Sequence, residues 1–99
     1  MVISWFIYII EAQNGSLYTG ITTDVQRRWR EHQGMGAKSA KAAKFFRTSK
    51  PKSILYIELA KDRSEASKKE AQIKKLTKQK KLALVKSSGN KINEFKFNQ

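Results

Sequence analysis

Apolar residues occur along the chain in short blocks whose spacing is typical first of strands and then of helices. Residues 3–10 are apolar and rich in β-branched and aromatic side chains, which predicts a strand. A turn signal follows at 13–15, and residues 16–22 predict a second strand. The stretch SILYIEL predicts a third strand at 53–59, shortly after Pro51.

Capping patterns predict three helices. Thr23 is followed three residues later by Gln26, so a helix is expected to begin there and to end near Gly34. The pair Asp62 and Glu65 repeats the pattern and predicts a helix through about residue 76. A threonine at 77 marks a third helix, which ends before 87–89.

The remaining segments complete a small mixed fold. Residues 35–50 predict a loop with a short helix, and the alternating tail at 91–97 predicts a short edge strand. The order of elements is then β-β-α-β-α-α. We therefore expect a single α+β domain over residues 1–99, with helices packed on a three-stranded sheet.

The length of the first turn decides which faces Tyr8 and Tyr18 occupy. With a two-residue turn, Tyr8 pairs with Ile21 and the two phenols face opposite ways. With a three-residue turn over 13–15, Tyr8 pairs with Gly20, and both phenols share a face with an open space between them. The sequence permits both registers.

Charge indicates a polyanionic partner. The chain carries 21 Lys and Arg against 8 Asp and Glu, a net charge of +13. One basic run is usually only a solvated helix face, but two such runs, 38–52 and 68–81, favour nucleic acid. Neither run has the apolar stripe that a membrane surface would require. The candidate phosphate-binding residues are Lys38, Lys41, Lys44, Lys68, Lys69, Lys74 and Lys75.

Several classes of protein are excluded by composition. The chain has no cysteine, which excludes disulfides, zinc–thiolate sites and a thiol nucleophile. The longest apolar run, WFIYII, is far too short to span a bilayer and lacks the flanks of a signal peptide. The cytoplasm is therefore the expected compartment.

Two helical residues stand out against their surroundings. Arg28 borders the stripe formed by Val25, Trp29 and His32, where an arginine more often extends its stem along the core and a histidine is more often structural. Glu70 lies on the apolar side of a lysine-rich helix. The plain interpretation is an ion pair with a lysine four residues on; the other is an inward carboxylate that binds a metal ion or an arginine.

Four stretches in this order resemble the GIY-YIG nuclease superfamily, most closely its small single-domain bacterial members. They are FIY at 6–8, YTG at 18–20, RRWREH at 27–32 and EASKKEAQIKKL at 65–76. The resemblance implies a compact domain with a central three-stranded antiparallel sheet. It also implies hydrolysis of phosphodiesters with one divalent metal ion, Mg²⁺ or Mn²⁺.

The resemblance assigns roles to five residues. Tyr8 and Tyr18 match the motif tyrosines, either of which would take a proton from the attacking water. Arg28 would stabilise charge on the phosphate, and His32 would orient the water or a phenol. Glu70 matches the metal-binding glutamate.

The sequence also departs from the family pattern. Phe6 replaces the glycine of the first motif, and Ile21 stands where some relatives carry lysine. Asn90 and Asn93 are both candidates for a C-terminal asparagine near the site. Larger relatives take target specificity from an added domain, so a partner protein is expected to supply it here.

These features together predict a metal-dependent endonuclease acting on structured or damaged DNA, in repair or recombination. RNA is the alternative nucleic acid. The alternative function is a basic nucleic-acid-binding module that keeps the fold without cutting.

Overall fold

A three-stranded antiparallel sheet lies at the centre of the fold, in a computed structural model that describes residues 4–34, 46 and 49–95. The central strand β1 (Trp5–Ala12) is flanked by β2 (Leu17–Thr22) and β3 (Pro51–Ala60). The helices are α1 (Val25–His32), α2 (Arg63–Lys74) and α3 (Lys78–Val85), and a one-turn 3₁₀ helix follows at Ile92–Glu94. The predicted class, sheet and element order are confirmed.

The first turn adopts the three-residue form. Residues 13–15 connect Ala12 to Ser16, whose carbonyl accepts a hydrogen bond from the Ala12 amide at 2.9 Å. Gly15 ends the turn at φ +87°, the left-handed conformation that this turn requires. Tyr8 therefore pairs with Gly20, and both motif tyrosines lie on the same face of the sheet.

The two faces of the sheet are covered by different helices. Tyr8 and Ile10 pack with Val25 and Trp29, so α1 covers the tyrosine face. The alternate residues of β1, Ile7 and Ile9, pack with Ala66 and Ile73 of α2 on the other face. The buried stripe predicted on α1 is confirmed.

The helix caps correct one prediction. Asp24 caps α1, since its side chain accepts from the Arg27 amide at 3.0 Å, so the prediction of Thr23 was wrong by one residue. Asp24 lies three residues before Arg27, whose amide has no partner within the helix. The carboxylate of Asp24 is also a stronger hydrogen-bond acceptor than the hydroxyl of Thr23. Asp62 and Thr77 cap α2 and α3 as predicted, although α2 ends at Lys74 rather than at residue 76.

Over residues 91–95, the described part of the tail, the predicted edge strand does not form. Asn90 accepts from the amides of Ile57 and Ile92 and donates to the carbonyls of Leu55 and Val85. The Asn90 side chain thus occupies backbone amide and carbonyl groups at the edge of β3 with which a fourth strand would pair. The chain turns into the 3₁₀ helix instead.

Some predictions fall outside the described residues. They include most of the loop expected at 35–50, and with it Lys38, Lys41 and Lys44. Among the described residues, no helix is long and apolar enough to cross a membrane.

Candidate active site

Tyr8 and Tyr18 meet above Gly20. Their ring centroids are 6.3 Å apart, and Tyr8 is only 2% exposed while Tyr18 is half-buried. A Cβ atom at position 20 would lie 2.5 Å from the Tyr8 hydroxyl oxygen and 3.1 Å from Cε2 of Tyr18. The open space expected here is therefore filled by the phenol of Tyr8, and this close approach requires glycine.

His32 brings α1 into contact with this pair. Its Nε2 lies 2.8 Å from the Tyr8 hydroxyl oxygen, and the ring is 4% exposed. Burial and, less strongly, the charge of Arg28 lower the pKa of His32 to about 4, against a smaller opposing effect of Glu31. The imidazole is therefore neutral at pH 7.

The other ring nitrogen indicates which tautomer is present. Nδ1 of His32 is buried and has no hydrogen-bond partner among the described residues. A buried N–H without an acceptor is rare in proteins, so the proton is better placed on Nε2. In that tautomer His32 donates to the Tyr8 oxygen, which leaves the proton of the Tyr8 hydroxyl available to another group.

Arg28 lies beside the same phenol, and its guanidinium is already paired. Its Nη1 donates to Oε1 of Glu31 at 2.9 Å, and Glu31 is buried at 7% exposure. Burial lowers the pKa of Arg28, but hydrogen bonding to Glu31 and to Tyr8 outweighs that effect and the pKa is raised. Sequence reasoning missed Glu31, although its spacing of three from Arg28 was an available signal.

The two phenols differ in burial and accessibility. Burial raises the pKa of Tyr8, and the charge of Tyr18 raises it further, against the lowering effect of Arg28. Tyr8 is therefore held protonated at neutral pH. Tyr18 keeps part of its ring accessible and lies next to the same cluster.

Glu70 lies at the margin of this group. It is half-buried on α2, and Nζ of Lys74 is 3.6 Å from its Oε2, the ion pair that the plain interpretation expected. Its charge contributes the smallest of the effects that raise the pKa of Tyr8. Glu70 is thus within electrostatic reach of Tyr8 from a helix that covers the other face of the sheet.

A single carboxylate is compatible with one kind of metal site. Among the described residues there is no cluster of three or more His, Cys, Asp or Glu side chains that could hold a metal ion. Mg²⁺ at phosphate sites is usually held by one or two carboxylates, waters and the phosphate itself. Glu70 fits that mode, since its one described partner is the flexible ammonium group of Lys74.

Four predicted phosphate-binding lysines lie on α2 or, for Lys75, at its C-cap, and they fall into two groups. Lys68 and Lys75 are exposed and have no ion pair within the described part of the chain. Lys69 is paired with Glu58 and lies 3.8 Å from Glu65, and Lys74 lies 3.6 Å from Glu70. The carboxylates of these partners reduce the charge that Lys69 and Lys74 can offer to a phosphate group.

The departures from the family motif have structural explanations. Phe6 forms an edge-to-face contact with Phe95 at 5.4 Å, so a C-terminal aromatic ring packs where the motif has only glycine. Ile21 packs against the apolar cluster under α2. Asn90 is fully engaged in holding the tail to β3, and Asn93 is exposed on the 3₁₀ helix.

Comparisons with known proteins bear on the family and the fold of the chain. A family model described as the GIY-YIG catalytic domain matches residues 4–83. A UPF0213 protein of Desulfotalea psychrophila is 47% identical over 85 residues, covering 86% of this chain and 74% of the relative. One from Staphylococcus aureus is 43% identical over 84 residues, covering 84% and 95%. The solution NMR structure of a UPF0213 protein from Bacillus halodurans has a TM-score of 0.53 at 35% identity, covering 90% and 89%.

Proposed function

We propose that this chain, which belongs to the GIY-YIG family, is a divalent-metal-dependent endonuclease acting on DNA. The observation that carries the proposal is the convergence of Tyr8, Tyr18, Arg28 and His32 on one face of the sheet. Packing alone does not require a buried phenol hydrogen-bonded to a buried imidazole with a half-buried guanidinium beside them, since each polar group loses hydration on burial. Perturbed groups clustered in this way are typical of catalytic sites.

The side chains divide the work of phosphodiester hydrolysis. Tyr18, the more accessible of the two, acts in its phenolate form, which takes the proton from the attacking water and becomes the phenol. Tyr8 and His32 fix the position of that phenol and of the water by hydrogen bonding. Arg28 presents N–H donors where negative charge builds on the phosphate. Glu70 would hold Mg²⁺ or Mn²⁺, which when bound offsets charge on the scissile phosphate.

The substrate class follows from the charge. A small domain of charge +13 binds mainly through the phosphate backbone, which carries no sequence information. Target choice then rests on DNA shape or on a partner protein, which favours nicked, flapped or branched DNA of repair and recombination. A cysteine-free chain suits the reducing conditions of the cytoplasm.

A cleavage panel tests the proposal. The purified protein is incubated with duplex, nicked, flapped and branched DNAs, and with RNA counterparts, in Mg²⁺, in Mn²⁺ and in chelator. We expect incision of at least one DNA structure that stops with chelator and falls by about 10² or more in Arg28→Ala. Salt-sensitive binding without incision of any substrate would instead establish the basic binding module.

A further inference from the structure

Glu31 is a buried acid for which the proposed chemistry has no direct use. Among the described residues it is the only Asp or Glu that is buried, in a chain whose acids are few. A buried carboxylate is costly unless it is paired and hydrogen-bonded. Its described partner is the guanidinium of Arg28, at 2.9 Å.

The guanidinium of Arg28 bridges two elements of the fold. Its Nη1 donates to Glu31 one turn further along α1, and it also lies close enough to Tyr8 on β1 to lower the pKa of that phenol. An arginine side chain on a helix surface samples many rotamers. A guanidinium that is held by both Glu31 and Tyr8 samples few. The pair therefore restricts the one cation that lies against the buried phenol within the described residues.

We propose that Glu31 is a positioning residue, whose carboxylate holds the Arg28 guanidinium beside Tyr8 before DNA binds. The catalytic consequence rests on the proposed function. A donor fixed in advance costs no reorganisation as charge builds on the phosphate. The carboxylate also offsets the attraction of Arg28 for ground-state DNA, so Arg28 contributes more to rate than to affinity.

Four variants separate positioning from a role in folding alone. Glu31→Leu keeps most of the buried volume and removes both acceptor oxygens, and Glu31→Ala replaces it if leucine does not fit. Glu31→Gln keeps one acceptor oxygen for Arg28. Glu94→Ala makes the same change of charge at an exposed residue of the 3₁₀ helix.

The kinetic arm compares kcat with the dissociation constant for DNA. We expect Glu31→Leu to lower kcat by about tenfold or more while DNA binding stays equal or tightens slightly. Glu31→Gln should recover most of kcat, and Glu94→Ala should match the wild type. A wild-type kcat in Glu31→Leu overturns the proposal, even if its melting temperature falls.

A second arm does not depend on cleavage. The ¹⁵N signal of the Arg28 Nε–H group reports how firmly the guanidinium is held. We expect a sharp signal in the wild type and in Glu31→Gln, and a broadened one in Glu31→Leu or Glu31→Ala. If the wild type cleaves no DNA, the proposed function fails and this arm alone decides whether Glu31 holds Arg28. An Arg28 signal unchanged by loss of Glu31 overturns the inference.

Discussion

The hydroxyl oxygen of Tyr8 lies 2.8 Å from Nε2 of His32, which joins the central strand to the last residue of α1. This contact belongs both to the core and to the candidate site. A change that disturbs it should therefore alter stability and chemistry together. The pH dependence of stability reports on this contact directly.

Stability should fall as the pH is lowered below the ordinary pKa of histidine. In the folded protein the pKa of His32 is lowered to about 4, so the unfolded chain takes up a proton first. The contribution is fully present above about pH 6.5 and is lost as the pH falls toward 4. Between pH 7.5 and 5.5 the loss is about 1.4 kcal/mol, measured by urea unfolding.

His32→Gln provides the control for this measurement, since the chain has a single histidine. The variant should show a much flatter dependence over the same range. Equal slopes in the two proteins would mean that His32 titrates normally in the folded state.

Gly20→Ala should displace the phenol of Tyr8. The new Cβ would lie 2.5 Å from the Tyr8 hydroxyl oxygen, so the strand or the ring must shift. We expect a loss of about 1–3 kcal/mol in the free energy of unfolding, together with loss of cleavage. Gly89→Ala is the matched control, because its nearest atom would be 3.7 Å away. A Gly20→Ala protein as stable as Gly89→Ala would contradict the packing described here.

Local patterns predicted the elements well but left their contacts open. The three strands, the helices and the caps at Asp62 and Thr77 follow from periodicity and capping chemistry, which act over a few residues. The hairpin register remained undecided because both turn lengths fit the same residues. The structure decides it through the positive φ of Gly15.

Tertiary contacts explain what the sequence could not reveal. The hydrogen bond between Tyr8 and His32 and the filling of the space above Gly20 depend on how α1 crosses the tyrosine face. The tail alternates like a strand, but the amide of Asn90 takes the hydrogen-bonding groups at the edge of β3. Such competition between a side chain and a backbone ladder does not appear in a pattern of apolar positions.

Asn90→Ala should destabilise the fold far more than Asn93→Ala. The Asn90 side chain makes four hydrogen bonds to backbone groups of β3, α3 and the 3₁₀ helix, while Asn93 is exposed. We expect Asn90→Ala to cost about 2–4 kcal/mol in urea unfolding and Asn93→Ala almost nothing. Similar small costs for the two variants would rule out Asn90 as the residue that holds the tail.

Adjacent lysines on α2 should contribute unequally to DNA binding. Lys68 is exposed, whereas Lys69 is bound to Glu58. Lys68→Ala should weaken binding evenly across DNA sequences and flatten the log–log salt dependence by roughly 0.9, the slope of one phosphate contact. Lys69→Ala should change that slope less, and the reverse order would contradict the assignment. Binding that does not respond to salt would argue against nucleic acid altogether.

The single-turnover cleavage rate of Glu70→Gln tests most directly whether Glu70 holds a metal ion that cleavage needs. The control is Glu65→Gln. Glu65 lies on the same helix, and its Oε1 is 3.8 Å from Nζ of Lys69. We expect Glu70→Gln to lower the single-turnover cleavage rate by about 10² or more, while its affinity for DNA stays equal or rises slightly. Glu65→Gln should cleave at nearly the wild-type rate. Wild-type cleavage by Glu70→Gln would contradict the account, because Glu70 would then be only the helix-surface partner of Lys74.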